Sequence, residues 1–213
     1  MRKRASQNAP AHQPECASAP GGIGLRVIVG ITGASGSVLG FRLLEKLRGK
    51  EGLETHLVMT RSAERTAWLE MGLRVQAFRE LAHHYHPVEE IGATLASGSF
   101  LTHGMVVAPC SVHSMSAIAH GITDNLLTRA ADVVLKERRR LILMVREMPL
   151  HLGHLRTMTT LAEMGAILAP PIPGFYGQPQ TAMDLVDHCV DRVIDLLGIP
   201  NAEAKRWDGS SSH

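Results

Sequence analysis

The sequence predicts a doubly wound α/β domain with a mainly parallel sheet, on three observations. Short runs of β-branched and aliphatic residues near 25–29, 55–59, 104–108 and 141–145 alternate with stretches whose apolar residues return every three or four positions. The run at 141–145 is apolar throughout, as a strand covered on both faces requires. Glycines and small hydroxyls cluster where strands give way to helices, so the connections read as tight turns at the carboxyl ends of the strands, where such sheets bind ligands.

Residues 1–24 are rich in Ala, Pro, Ser, Gln and Gly without periodicity and predict a disordered N-terminal tail. The first strand covers 25–29 and runs into Gly30-Ile31-Thr32-Gly33-Ala34-Ser35-Gly36. Leu39, Leu43 and Leu47, with Leu44 beside them, mark a helix over 35–48 that Gly49 and Gly52 close. Such a junction offers free backbone N–H groups and the positive end of a helix dipole, which suits a phosphate. Glycines at 30, 33, 36 and 40 do not make the dinucleotide pattern, and the Walker lysine is missing. A mononucleotide or phosphorylated ligand fits better than NAD.

A second strand over 55–59 ends at Thr60, and a helix follows over 61–70, stopped by Gly72. Residues 73–103 predict a short strand or helix plus a surface loop. A strand over 104–108 is broken by Pro109, and Cys110-Ser111-Val112-His113-Ser114 forms a second strand-to-helix junction, its helix stopping at Gly121. Further helices cover 124–138 and 154–163, and a strand covers 166–169. The prolines between 170 and 176 exclude regular structure. The last helix opens with a capping box, Thr181 to Asp184, and is expected to bury Leu185, Cys189, Val193 and Leu196.

A chain of 213 residues is long enough for one domain with a sizeable core. A net charge of +2 points to neither nucleic acid nor membrane, and the basic run Lys136, Arg138, Arg139 and Arg140 reads as a solvated helix end. Cys16, Cys110 and Cys189 have no metal-ligand spacing and fit a reducing, cytoplasmic compartment. No apolar run approaches the roughly 18 residues of a transmembrane helix. The groups at the strand ends are Thr32 and Ser35, Thr60, Ser111 and Ser114, Arg146 and Glu147, and Tyr176: a binding site for a phosphorylated organic molecule.

Several ordered stretches carry a resemblance: Gly33-Ala34-Ser35-Gly36, Ser97-Gly98-Ser99, Pro109-Cys110-Ser111, the run from Arg129 to Arg139, Val145-Arg146-Glu147-Met148-Pro149-Leu150 and Pro173-Gly174-Phe175-Tyr176. Through them the chain resembles the UbiX/Pad family of flavin prenyltransferases, among the flavin-containing decarboxylase-like flavoproteins. The resemblance implies a three-layer, Rossmann-like flavoprotein fold with the enzyme domain over 25–200 and a C-terminal tail over 201–213. It implies reduced FMN as substrate, a dimethylallyl group transferred from dimethylallyl phosphate to flavin N5 and C6 without a metal, and prenylated FMN as the product for a UbiD-type decarboxylase. It also implies a homo-oligomer, a dodecamer in the family.

Carried over by position, the resemblance assigns Gly33, Ala34, Ser35, Thr60, Ser111, Val112, His113, Ser114 and Arg146 to FMN. Thr60 stands where the family usually has serine, and His113 where members usually carry lysine or a small residue. Arg129, Lys136, Arg146, Glu147, Tyr176, Arg192 and Trp207 are assigned to dimethylallyl phosphate, in a pocket that neighbouring subunits complete. Ser35, Glu70 and Glu147 match positions given to proton transfer. A flavin-dependent decarboxylase of a cysteine-derived carboxylate and a non-catalytic FMN-binding subunit are the alternatives. His83, His84 and His86, and the pair His151 and His154, have no cysteine or carboxylate in a zinc-type sequence pattern, so no metal is assigned.

Overall fold

Apolar residues on both sides of a strand need a layer of helices on each face, and the computed structural model, which describes residues 24–207 and Gly209, supplies both layers. Strands β1 (Leu25–Ile31), β2 (Leu53–Met59), β3 (His84–Pro87), β4 (Gly104–Cys110), β5 (Arg140–Val145) and β6 (Ile167–Leu168) form one six-stranded sheet. Its order is β3-β2-β1-β4-β5-β6, and every pairing is parallel. The helices are α1 (Ser37–Arg48), α2 (Arg61–Met71), α3 (Val75–Leu81), α4 (Val112–Ala119), α5 (Leu126–Lys136), α6 (Leu152–Glu163) and α7 (Ala182–Leu197).

Alternation along β1 sorts the layers. Val27, Val29 and Ile31 pack with α1, α2, α3 and α7, while Ile28 packs with α4, α5 and α6. Close approach explains two glycines. A Cβ on Gly40 would lie 2.4 Å from the Ala108 carbonyl oxygen and 2.7 Å from Ile31 Cδ1, so α1 crosses the sheet through that gap. A Cβ on Gly33 would lie 2.5 Å from Ser62 Cβ, so the turn after β1 touches the start of α2. The strand order reverses between β1 and β4, and that switch point opens a crevice at the strands' carboxyl ends.

Several boundaries differ from the sequence expectation for identifiable reasons. Helix α1 starts at Ser37 and not at 35, because Gly36 sits at φ +104°, outside helical space. Pro109 does not end β4, because the register shifts between Val107 and Cys110 and the ladder skips the donor that proline lacks. Helix α5 starts at Leu126 because the Asn125 side chain caps it, accepting from the Thr128 N–H at 3.0 Å. The stretch 73–103 holds both a helix, α3, and an edge strand, β3.

The predicted capping box of α7 is present, with Thr181 and Asp184 each accepting from the other's backbone N–H. Its buried stripe is Cys189, Val190, Val193, Ile194 and Leu197, whereas Leu185 and Leu196 are only half-buried. Leu185 lies in the part of the helix that borders an open groove. The basic run is also not simply solvated. Arg139 donates to the Gly98 and Phe100 carbonyls at 2.6 and 2.9 Å, and Arg140 donates to the Leu197 carbonyl, so two of its four cations tie loops to the sheet.

The expected tail over residues 1–24 lies outside the described residues except for Gly24. Residues 201–207 lie against α7: Asn201 donates to Asp191 at 3.0 Å, and Arg206 pairs with Asp195 at 2.8 Å. No helix among the described residues is long and apolar enough to cross a membrane.

Candidate active site

The switch point is held by one buried hydroxyl. Thr32, 1% exposed, donates from Oγ1 to the Pro109 carbonyl at 2.7 Å and accepts from the Ser111 N–H at 2.8 Å. Thr60 N–H donates to the Ile31 carbonyl at 3.0 Å, and Arg146 N–H donates to the Cys110 carbonyl at 3.1 Å. The ends of β2, β1, β4 and β5 are therefore fixed relative to one another, and the turns that follow them share one rim.

Two helices begin on that rim with hydroxyl caps. Thr60 Oγ1 accepts from the Ala63 N–H at 3.1 Å and starts α2, and Ser111 Oγ accepts from the Ser114 N–H at 3.2 Å and starts α4. Between them lies a cavity of about 460 Å³ lined by Thr60, Ser62, Ser111, His113, Ser114 and Asn125, among others. That volume is within the usual range of small-molecule and cofactor pockets. His113 is exposed in this cavity, and Val112 is half-buried in the first turn of α4.

The N-terminus of α1 has no side-chain cap of its own. Glu70, from the end of α2, supplies the acceptor. Gly36 N–H donates to both its oxygens at 3.0 and 3.1 Å, and Ser37 N–H donates at 3.0 Å. Burial raises the Glu70 pKa, but the Ser35 hydroxyl and the Ser37 and Gly36 amides outweigh it, and the carboxyl sits below its ordinary range. Ser35 and Glu70, remote in sequence, thus come together at a helix N-terminus, with Gly33 and Ala34 in the turn beneath. Thr66 Oγ1 donates to the Gly33 carbonyl at 3.1 Å and fixes that turn.

Arg146 and Glu147 follow β5. Both lie beyond its last residue, Arg146 exposed and Glu147 half-exposed. Among the described residues the Arg146 side chain makes no ion pair, and Glu147 accepts from the Met148 N–H at 3.0 Å.

The other expected cations do not converge on this rim. Arg129 pairs with Asp132 at 2.7 Å on α5, and Lys136 pairs with Glu137. Tyr176, Arg192 and Trp207 instead line a groove of about 540 Å³ between α1, α7 and the chain after α7, which has no lining residue in common with the first cavity. There the Tyr176 and Trp207 rings meet edge-on at 5.9 Å, and the Tyr176 hydroxyl donates to the Lys205 carbonyl at 3.4 Å.

The sequence reading passed over several residues of these sites. Asn125 both caps α5 and lines the first cavity; an Asn three residues before Thr128 was the available signal. Arg42 and Lys46 on α1 meet Asp187 and Asp191 on α7 at 2.6 Å each, matched pairs with i, i+4 spacing that border the second groove. Cys110, beside the second turn, is buried with its thiol pushed up to about 12 by burial, so it stays protonated and is no nucleophile.

A family model described as Flavoprotein matches residues 23–197. The flavin prenyltransferase UbiX of Escherichia coli (strain K12) is 51% identical over 187 residues, covering 87% of this chain and 99% of the relative. The structure of a dodecameric FMN-dependent UbiX-like decarboxylase from Escherichia coli O157:H7 superposes with a TM-score of 0.85 at 46% identity, over 87% of this chain and 100% of that one. AnUbiX in complex with FMN and dimethylallyl pyrophosphate superposes with a TM-score of 0.85 at 42% identity, covering 88% of this chain and 99% of that one.

Proposed function

We propose, from the premise that this chain belongs to the Flavoprotein family and within it to the UbiX-type flavin prenyltransferases, that it transfers a dimethylallyl group from dimethylallyl phosphate to reduced FMN. New bonds form at flavin N5 and C6, and the product is prenylated FMN, destined for a UbiD-type decarboxylase. The observation that carries this reading is the hydroxyl-rimmed cavity at the switch point, with two capped helix N-termini on its rim and Gly33 where a side chain would collide.

In this reading the Gly33–Ser35 backbone, Thr60 and the turn from Ser111 to Ser114 hold FMN through N–H groups and hydroxyls, which suit its phosphate and ring edge. Arg146 is free to touch both ligands. Arg129, Lys136 and Arg192 neutralise the phosphate as the C–O bond breaks, since fixed cations stabilise charge that develops where water is excluded. Tyr176 and Trp207 offer π faces to the cation-like allyl fragment. Closing the ring at C6 releases a proton. As the N5–C bond replaces the C–O bond, N5 gives up its proton and Glu147 relays it to the departing phosphate. As the C6–C bond forms, the allyl double bond takes up a proton and Glu70, already ionised and with Ser35 beside it, accepts the one that leaves C6.

The cations lie at separate places on one chain, so the phosphate pocket is completed by neighbouring subunits in a homo-oligomer, a dodecamer like the similar E. coli O157:H7 protein. The exposed apolar side chains Leu69, Met148, Ile172, Phe175 and Trp207 support such packing. The buried free thiols Cys110 and Cys189 support a reducing, cytoplasmic setting.

The test is to mix the protein anaerobically with reduced FMN and dimethylallyl phosphate and record the absorbance and mass of the released flavin. An added C5 unit is expected. Unmodified flavin under competent reducing conditions overturns the reading, and carbon dioxide release from a C-terminal cysteine peptide would replace it with a decarboxylase.

A further inference from the structure

The edge of the sheet at β2 and β3 holds a polar cluster that the prenyl transfer does not use. Parallel pairing sets His56 beside His84, and the two-residue period of a strand adds Glu54 and His86 on the same face. His56 is 4% exposed. Its Nδ1 lies 3.0 Å from His86 Nε2, and its own Nε2 is buried with no hydrogen-bond partner among the described residues. Ligand atoms of Glu54, His56 and His84 all lie within 4.8 Å of one another. Sequence spacing hid this set, because its carboxylate and its buried imidazole come from a different strand than the histidine run.

We propose that Glu54, His56 and His84 bind one divalent transition ion of the zinc type, which clamps the edge strand β3 to β2. Two imidazoles and a carboxylate suit such an ion, with water in the fourth position. The hydrogen bond to His86 gives the site its direction. When His56 Nδ1–H donates to His86, Nε2 keeps its lone pair, which is how a metal-bound imidazole is ordinarily held by its second nitrogen. His86 is therefore a positioning residue, and the orphaned nitrogen of His56 is a ligand.

Bonds of about 2.0–2.2 Å in a tetrahedron require ligand atoms roughly 3.3–3.5 Å apart, so the set closes by ~1 Å on binding. The two movable members are on the outside. His84 is exposed and stacks on His56 with ring centroids 4.6 Å apart, and the Glu54 side chain is 41% exposed. Arg26 holds Glu54 through Oε2 at 3.0 Å, which leaves the other oxygen for the ion. That neighbouring cation makes the site weaker than a closed four-ligand zinc centre.

The test uses the full chain, stripped with a chelator, dialysed, and titrated with zinc chloride by calorimetry and with cobalt(II) by visible absorption. One equivalent per chain, tetrahedral cobalt bands and a raised Tm are expected. His84→Val and Glu54→Gln remove exposed ligands without emptying the core, and each should weaken binding at least ~10-fold. His86→Ala should weaken it about tenfold through the second nitrogen of His56, and the remote His151→Ala should leave it unchanged. Failure to bind one equivalent, or binding untouched by both His84→Val and Glu54→Gln, overturns the proposal. Prenyl transfer by the stripped protein should be unaffected, so the two readings fail independently.

Discussion

Around the carboxyl ends of β1 and β4 the site residues are knitted into a single chain: Thr32 joins two turns, Thr60 and Ser111 cap two helices, and Glu70 caps a third. The cationic set is dispersed: Arg129 sits on Asp132, Lys136 on Glu137, and Arg192 in a groove that has none of the first cavity's lining. The physical reason is charge. Two like charges 4 Å apart repel by about 4 kcal/mol at the effective dielectric of a protein surface, so several arginines and a lysine do not gather unaided. Each is parked on a carboxylate or in water. The hydrogen-bonded rim is complete within one chain, whereas in the proposed function the dispersed cations come together only on assembly around the phosphate.

That contrast can be broken most forcefully at Arg146, an exposed cation that makes no ion pair among the described residues. Arg146→Ala should lower prenyl transfer by ~10²–10³-fold in single-turnover measurements. Assembling Arg146→Ala chains together with Arg192→Ala chains should restore part of the activity if each pocket draws on two chains. No recovery in the mixed oligomer would return the whole pocket to one chain.

Glu70→Gln tests the knitted side. Loss of the base should cost at least ~10²-fold in transfer, and loss of the charged acceptor on α1 about 1 kcal/mol of stability. The Glu70 pKa is lowered on folding, so its contribution is present above the ordinary carboxylate range and is lost as pH falls through the folded value. Denaturation midpoints of wild type and Glu70→Gln should therefore differ at neutral pH and converge in acid. A difference that widened in acid would contradict the anchored carboxylate.

Gly40→Ala should cost about 1–3 kcal/mol by forcing α1 off the sheet, measurable by urea denaturation. The smallest effect is expected at Cys110. Its thiol, raised to about 12, should resist alkylation in the native protein, and Cys110→Ala should leave transfer within about twofold of wild type. Rapid native labelling of Cys110 would show that the crevice opens further than the structure indicates.

The turn residues were legible because each acts on neighbours in the chain: Thr60 and Ser111 reach amides three positions on, and Gly36 takes a conformation open to glycine. The capping box of α7 was legible for the same reason. The stretch from 73 to 103 was obscure because β3 is a half-exposed edge strand without clean alternation, and its histidines make sense only beside β2. Arg139 and Arg140 looked solvated because their acceptors, the carbonyls of Gly98 and Leu197, lie roughly 40 to 60 positions away.

The sequence by itself determined the alternation of strands and helices and the glycine and hydroxyl turns, and through them the expectation of a site for a phosphorylated ligand, because periodicity and capping are local physics. Only the tertiary structure decided which distant groups meet: Glu70 on the N-terminus of α1, Arg42 and Lys46 on Asp187 and Asp191, and Glu54 and His56 beside His84 and His86. Those meetings depend on strand order, register and helix docking. Core packing across many residues sets these, and no short stretch of sequence encodes them.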